Sequence, residues 1–121
     1  MIVARREEIG DEMASIRTLT SGEIQPRVIE ASGPVALDFY QESCPPCRVL
    51  EPRLERVAAR YEGRLSVYRV DVDRDLAVAE SYGVMSLPTV LVLREGKEVE
   101  RLDGLIREAD LTAAFDRASD A

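Results

Sequence analysis

The segment that decides the fold is VALDFYQESCPPC, residues 35–47. It opens with a continuous apolar run that ends at Tyr40 and contains one carboxylate, Asp38. Such a run is typical of a central strand that is covered on both faces. Because Cys44 and Cys47 follow this strand closely, we expect the chemistry of the molecule to lie at the carboxyl end of the strand.

A helix should begin at the cysteines, because apolar residues recur at helical spacing from residue 49 to Tyr61, and Gly63 then ends the pattern. Cys44 stands at the start of this helix, where unpaired N–H groups and the helix dipole stabilise a thiolate. We therefore predict that Cys44 is the nucleophile. Cys47 lies one turn further in, close enough to form a disulfide and better covered, which fits a resolving thiol.

Strands and helices alternate along the rest of the chain. We predict further strands at residues 16–19, 65–72, 89–93 and 99–102, and further helices at residues 21–31, 76–82 and 107–118. Thr20 and Glu23 offer a capping box to the first helix, and the turn at residues 95–97 makes the last two strands an antiparallel hairpin. This order predicts an α/β domain with a mixed sheet and helices on both faces.

The first residues of the chain look different from the rest. Residues 1–14 carry mixed charge and no strong period, so we expect a mobile or loosely helical extension before a domain at residues 15–121. No apolar run approaches the ~20 residues of a membrane span, and the start lacks the apolar region of a signal peptide. We therefore expect a cytoplasmic protein with no membrane partner.

Composition narrows the possible chemistry. The chain has 23 acidic and 16 basic residues, a net charge of −7, so it repels phosphate backbones and nucleic acid is not an expected partner. It has two cysteines and no histidine, which removes mixed His/Cys zinc sites and Cys–His nucleophilic pairs. We expect no metal site in one chain. What remains is a single Cys-x-x-Cys in a chain that we expect to be cytosolic, and this spacing usually indicates redox chemistry or metal binding.

Taken together, these motifs resemble the thioredoxin family over residues 16–118. The resemblance rests on Ala36-Leu37-Asp38-Phe39-Tyr40, Cys44-Pro45-Pro46-Cys47-Arg48 with Pro52 downstream, Val70-Asp71-Val72-Asp73, Tyr82-Gly83-Val84, Leu87-Pro88-Thr89, Gly96 and Gly104. It implies the thioredoxin fold, with a five-stranded sheet in the order 1-3-2-4-5 whose strands 4 and 5 are antiparallel. It also implies an oxidoreductase that reduces protein disulfides through Cys44 and Cys47, without a cofactor beyond that redox-active pair.

The same resemblance implies roles for three further residues. Asp38 would be the buried carboxylate beneath the dithiol that accepts a proton from Cys47. Pro88 would be a cis proline that faces the cysteines and leaves the backbone of Leu87 free to pair with an extended substrate. Arg69 occupies a basic family position near Asp38 and would modulate its titration, although a solvated arginine at a strand edge is the alternative.

Two positions depart from the family, which usually has Trp before the first cysteine and Gly after it. Ser43 leaves a smaller, more polar rim around Cys44, and Pro45 removes both a backbone donor and the flexibility of glycine. Partner choice and redox balance can both change as a result. The residues that we expect to bind substrate are Ser43, Pro45, Pro46, Leu87, Pro88 and Gly104, with Leu105 on the same apolar rim.

The expected partners are proteins with disulfides and a donor that resembles thioredoxin reductase, and we expect a monomer. Three alternatives remain open at this point. The chain could be a disulfide oxidase or isomerase; it could be a binding module that uses the same groove, with the dithiol as a switch or an inert remnant; or two chains could share a metal or iron–sulfur cluster through their Cys pairs.

Overall fold

The computed structural model describes residues 16–120, so the expectation for residues 1–14 lies outside the described part. The described residues form four strands and four helices. The strands are β1 (Val35–Tyr40), β2 (Ser66–Asp71), β3 (Thr89–Arg94) and β4 (Lys97–Asp103). The helices are α1 (Ser21–Ile24), which continues as a π-helical turn (Gln25–Ile29), α2 (Pro45–Arg60), α3 (Leu76–Ser81) and α4 (Glu108–Asp120).

The strands form one mixed sheet in the order β2-β1-β3-β4. β1 pairs in parallel with β2 and antiparallel with β3, and β3 pairs antiparallel with β4. The prediction of a mixed sheet with helices is thus confirmed. The hairpin turn between β3 and β4 has positive φ at Glu95 (53°) and Gly96 (77°), which matches the backbone twist of a two-residue hairpin loop.

Every residue of β1 is buried because helices cover both faces of the sheet. Ala36 packs in one cluster with apolar residues of α2 and α4, such as Leu54 and Phe115. Leu37 and Phe39 pack in the other cluster, which includes residues of the π-helical turn and α3. Because side chains alternate along a strand, Asp38 shares the face of Ala36, the face that α2 covers. β1 therefore places the Asp38 carboxylate on the side of the sheet that α2, the helix with the two cysteines, covers.

The prediction of five strands in the order 1-3-2-4-5 is wrong. The segment predicted as strand 1, residues 16–19, forms only an isolated parallel bridge between Thr18 and Arg69 on the outer side of β2. Two hydrogen bonds hold it, from the N–H of Leu19 to the carbonyl of Arg69 and from the N–H of Arg69 to the carbonyl of Arg17. The bridge cannot lengthen towards the C-terminus because Thr20 already caps α1.

The first helix also differs from its prediction. A helix was expected as far as residue 31, but only residues 21–24 are α-helical before the π-helical turn begins. Pro26 has no N–H to donate to the α-helical ladder, and the chain instead closes a wider turn from the N–H of Glu30 to the carbonyl of Gln25, at 3.0 Å.

Candidate active site

A disulfide joins Cys44 and Cys47, whose Cα atoms lie 5.3 Å apart. Cys44 is the N-cap residue of α2, as expected, and its sulfur accepts a hydrogen bond from the N–H of Cys47 at 3.3 Å. Cys44 is partly exposed, whereas Cys47 is only 1% exposed. The outer sulfur can therefore meet another protein, while the inner one is shielded from it.

The two prolines between the cysteines explain this local geometry. Pro45 and Pro46 occupy the first two positions of α2, where a backbone N–H would have no partner within the helix. Since neither proline has an N–H, that of Cys47 is the first donor in the helix, and it points to the Cys44 sulfur. The regular ladder begins with the N–H of Arg48, which donates to the carbonyl of Cys44 at 3.2 Å. The positive end of the dipole of α2 therefore lies at the Cys44 sulfur and stabilises its thiolate.

Asp38 is a buried carboxylate with one ionic partner. Its Oδ2 lies 3.1 Å from the Nε of Arg69, and its Oδ1 is buried without a hydrogen-bond partner among the described residues. Burial raises the pKa of Asp38 to about 6, and the attraction of Arg69 opposes that rise without cancelling it. The carboxyl group can therefore gain and lose a proton near neutral pH.

Arg69 is held on three sides. Besides Asp38 it binds Glu51, with 2.7 Å between Nη1 and Oε2, and its guanidinium carbon lies 3.8 Å from the centre of the Tyr40 ring. Its side chain is only 12% exposed. The alternative of a solvated arginine at a strand edge is therefore wrong. Arg69, Glu51, Tyr40 and Cys47 line one polar cleft beside the disulfide, of about 410 Å³.

An apolar groove includes Pro46, one of the two residues between the cysteines. The Leu87–Pro88 peptide bond is cis, as the resemblance implied. Leu105 is 78% exposed at the edge of the groove. Among the expected substrate-binding residues, Ser43 and Pro45 are exposed but do not line the groove. The residues that line it are Pro46, Val49, Leu50, Arg53, Leu87, Pro88, Gly104, Leu105 and Ile106.

Some residues of these two surfaces were not expected from the sequence. Val49 belongs to the apolar pattern of α2, but its side chain is exposed and lines the groove. Arg53 donates from Nη1 to the carbonyl of Ile106 at 2.9 Å and so supports the wall of the groove. Glu51 binds Arg69 across the cleft. In the sequence, Arg53 and Glu51 look like ordinary solvated charges on a helix. Val49 could have been identified only if its exposure had been known, because an exposed apolar side chain indicates a binding surface.

Within residues 16–120, no group of three or more His, Cys, Asp or Glu side chains has the arrangement of a metal site. In that same part of the chain, no helix is long and apolar enough to cross a membrane.

Comparisons with known proteins agree on one family. The family model described as "Thioredoxin" matches residues 15–117. "Thioredoxin 1" of Synechococcus elongatus is 30% identical over 87% of this chain and 98% of that protein. "Thioredoxin, mitochondrial" of Bos taurus is 38% identical over 77% of this chain and 55% of that protein. Among solved structures, a single-residue mutant of thioredoxin from Halobacterium salinarum superimposes with a TM-score of 0.79 at 28% identity, over 89% of this chain and 94% of that chain.

Proposed function

Because this chain belongs to the thioredoxin family, we propose a mechanism in which Cys44 attacks a disulfide of another protein and Cys47 completes the exchange. The chain is a thiol–disulfide oxidoreductase and a protein-disulfide reductase, and the cysteine pair is its redox group. One observation carries the division of roles: the N-cap sulfur of Cys44 is accessible and receives the first free N–H of α2, whereas Cys47 is buried.

The reaction begins with the reduced pair. The Cys44 thiolate attacks one sulfur of the substrate disulfide, forms a mixed disulfide and releases the other substrate sulfur as a thiolate, which takes up a proton. Cys47 then loses its proton, attacks the Cys44 sulfur and releases the second substrate thiol. The substrate gains two electrons, and the enzyme is left with the Cys44–Cys47 disulfide that the structure contains.

Asp38 is the proposed acceptor of the Cys47 proton. Its pKa of about 6 supports this role, because a carboxylate with that pKa is ionised at neutral pH and still has appreciable affinity for a proton. The unpartnered Oδ1 offers an atom to which the proton can bind. Arg69 modulates this titration through its bond to Oδ2.

The apolar groove is the proposed docking surface for the substrate. An extended segment would pair with the backbone of Leu87 beside Pro88, and its apolar side chains would cover the exposed Leu105. Gly104 and Pro46 form parts of the same groove. Ser43 and Pro45 would contact the substrate from the exposed rim around Cys44.

The proposed setting is a reducing cytoplasm, where a donor that resembles thioredoxin reductase returns electrons to the disulfide. The absence of cysteines other than the redox pair supports this setting, since no thiol is left for a structural disulfide. A monomer presenting one groove is sufficient for this cycle.

Serine variants of the two cysteines test the mechanism. With a disulfide-containing test protein, Cys47→Ser should accumulate a covalent complex through Cys44 that dithiothreitol dissolves, and it should not turn over. Cys44→Ser should form no such complex and should also lose turnover. A complex formed by the Cys44→Ser variant, or turnover that survives in either variant, would contradict the assigned roles. Retained binding of the test protein by Cys44→Ser, with no turnover in the native protein, would identify a binding module instead.

A further inference from the structure

The guanidinium of Arg69 bonds to two different carboxylates. A guanidinium commonly binds both oxygens of one carboxylate through two parallel N–H groups, such as Nε and Nη2 on one edge. Here the Nε binds Oδ2 of Asp38 at 3.1 Å, while the Nη1, on the far edge, binds Oε2 of Glu51 at 2.7 Å. Asp38 thus receives one bond from Arg69, and its second oxygen stays buried without a partner among the described residues.

Glu51 is well placed to hold the far edge of this guanidinium. It lies four residues after Cys47 on α2, and both side chains line the polar cleft. The ring of Tyr40 lies against the face of the guanidinium, with 3.8 Å between the ring centre and the guanidinium carbon. Tyr40 therefore contacts the face of Arg69, and Glu51 contacts its edge. The side chain of Glu51 is partly exposed, and it reaches Nη1 from the solvent side of the cleft.

The charged groups around Asp38 come from two elements. β2 contributes Arg69, and α2 contributes Glu51, whose negative charge also acts on Asp38. Glu55, one turn further along α2, interacts with Glu51 and Arg69 through space but forms no ion pair with Arg69 among the described residues. On the other side of β1, the residue paired with Asp38 is the apolar Val90.

We propose that Glu51 is a positioning residue that holds the Arg69 guanidinium through Nη1, so that only its Nε bonds to Asp38 and Oδ1 stays free to receive a proton. This inference rests on the proposed role of Asp38 as acceptor of the Cys47 proton. If Nε and Nη2, which share one edge of the guanidinium, both bound Asp38, the carboxylate would be held in its ionised form and would be a weaker base. Glu51 keeps Asp38 protonatable while Arg69 remains beside it.

The test is the titration of the Asp38 carboxyl group, followed by NMR in oxidised protein labelled with ¹³C-aspartate. In Glu51→Ala we expect the pKa of Asp38 to fall by about one unit, because Arg69 is then free to turn and bind Asp38 through Nη2 as well as Nε, and a neighbouring negative charge is lost. The matched control is Glu55→Ala, which removes the same charge from the same helix without removing a bond to Arg69. It should give no comparable fall.

A double variant distinguishes the effect of Glu51 through Arg69 from the direct effect of the Glu51 charge on Asp38. In an Arg69→Gln background, Glu51→Ala should shift the pKa of Asp38 by less than about a third of its shift in the native background. A full shift in that background would show that Glu51 acts by its own charge and would overturn the proposal. An unchanged or raised pKa in the single Glu51→Ala variant would overturn it as well, as would an equal fall in Glu55→Ala.

Failure of this inference can be told from failure of the proposed mechanism. The titration is read in the disulfide form and needs no turnover, so it reports on Glu51 and Arg69 alone. The proposed mechanism fails instead if the native protein exchanges no disulfides, or if its exchange does not depend on Cys44 and Cys47.

Discussion

Asp38 and Arg69 are direct neighbours across the parallel strands β1 and β2, and 3.1 Å separates the Oδ2 of Asp38 from the Nε of Arg69. An ion pair of this kind usually lowers the pKa of the carboxyl group, but here the pKa of Asp38 is raised to about 6. Burial outweighs the attraction of Arg69, and the negative charge of Glu51 adds to the rise. The site therefore keeps a proton acceptor that lowers folding stability.

This loss of stability predicts a pH-dependent effect of Asp38→Asn. The pKa of Asp38 rises on folding from 3.8 to about 6, so the folded state binds more protons than the unfolded state between these values. The destabilisation by Asp38 is absent below about pH 4 and complete above about pH 6. Asp38→Asn should therefore increase the free energy of unfolding by up to about 3 kcal/mol at pH 7.5 and by little at pH 3.5. Urea unfolding of the oxidised proteins measures this, and a loss of stability at pH 7.5 would contradict it.

The same group should control the rate at which Cys47 resolves the mixed disulfide. As the pH falls through about 6, Asp38 becomes protonated and can no longer accept the Cys47 proton, so the rate should fall. Asp38→Asn should lower the rate at pH 7.5 roughly 100-fold and remove the transition near pH 6. Rapid-quench measurement of the mixed disulfide against pH gives both quantities. A transition near pH 6 that persists in Asp38→Asn would assign it to another group.

The docking groove gives a prediction that concerns binding rather than chemistry. Leu105→Ser should raise KM for a protein substrate about tenfold, since burying a leucine contributes about 1.5–3 kcal/mol, while kcat stays within about twofold. Met85→Ser is the control, because Met85 is 93% exposed but does not line the groove. Steady-state kinetics of both variants measure KM and kcat. Equal effects of the two substitutions, or a change confined to kcat in Leu105→Ser, would place the substrate elsewhere.

Much of the fold could be predicted because its signals are local. The apolar run of residues 35–40 predicts the buried strand β1, and the two prolines predict the start of α2. The turn at Glu95 and Gly96 likewise predicts the hairpin. The extra strand was wrongly predicted because residues 16–19 read as a strand, whereas in the structure they form only the bridge between Thr18 and Arg69 before the cap at Thr20. The π-helical turn depends on how the chain responds to Pro26, which helical periodicity does not reveal.

The site was predictable in its cysteines and less so in its surroundings. Cys44 and Cys47 stand out by spacing and by their position at a helix start. Glu51 does not, because its partner Arg69 is on another element and a glutamate on a helix usually faces solvent. Such contacts arise only when α2 packs beside β2, so residue type and spacing alone cannot identify them.

The equilibrium reduction potential of the Cys44–Cys47 pair tests most directly whether this chain reduces protein disulfides. It is obtained by titration against a dithiothreitol or glutathione couple with a count of free thiols. We predict one reversible two-electron couple below about −200 mV, in the range of cytosolic reductants. A potential above that value would indicate an oxidase or isomerase, and the lack of any reversible couple would contradict the redox function itself.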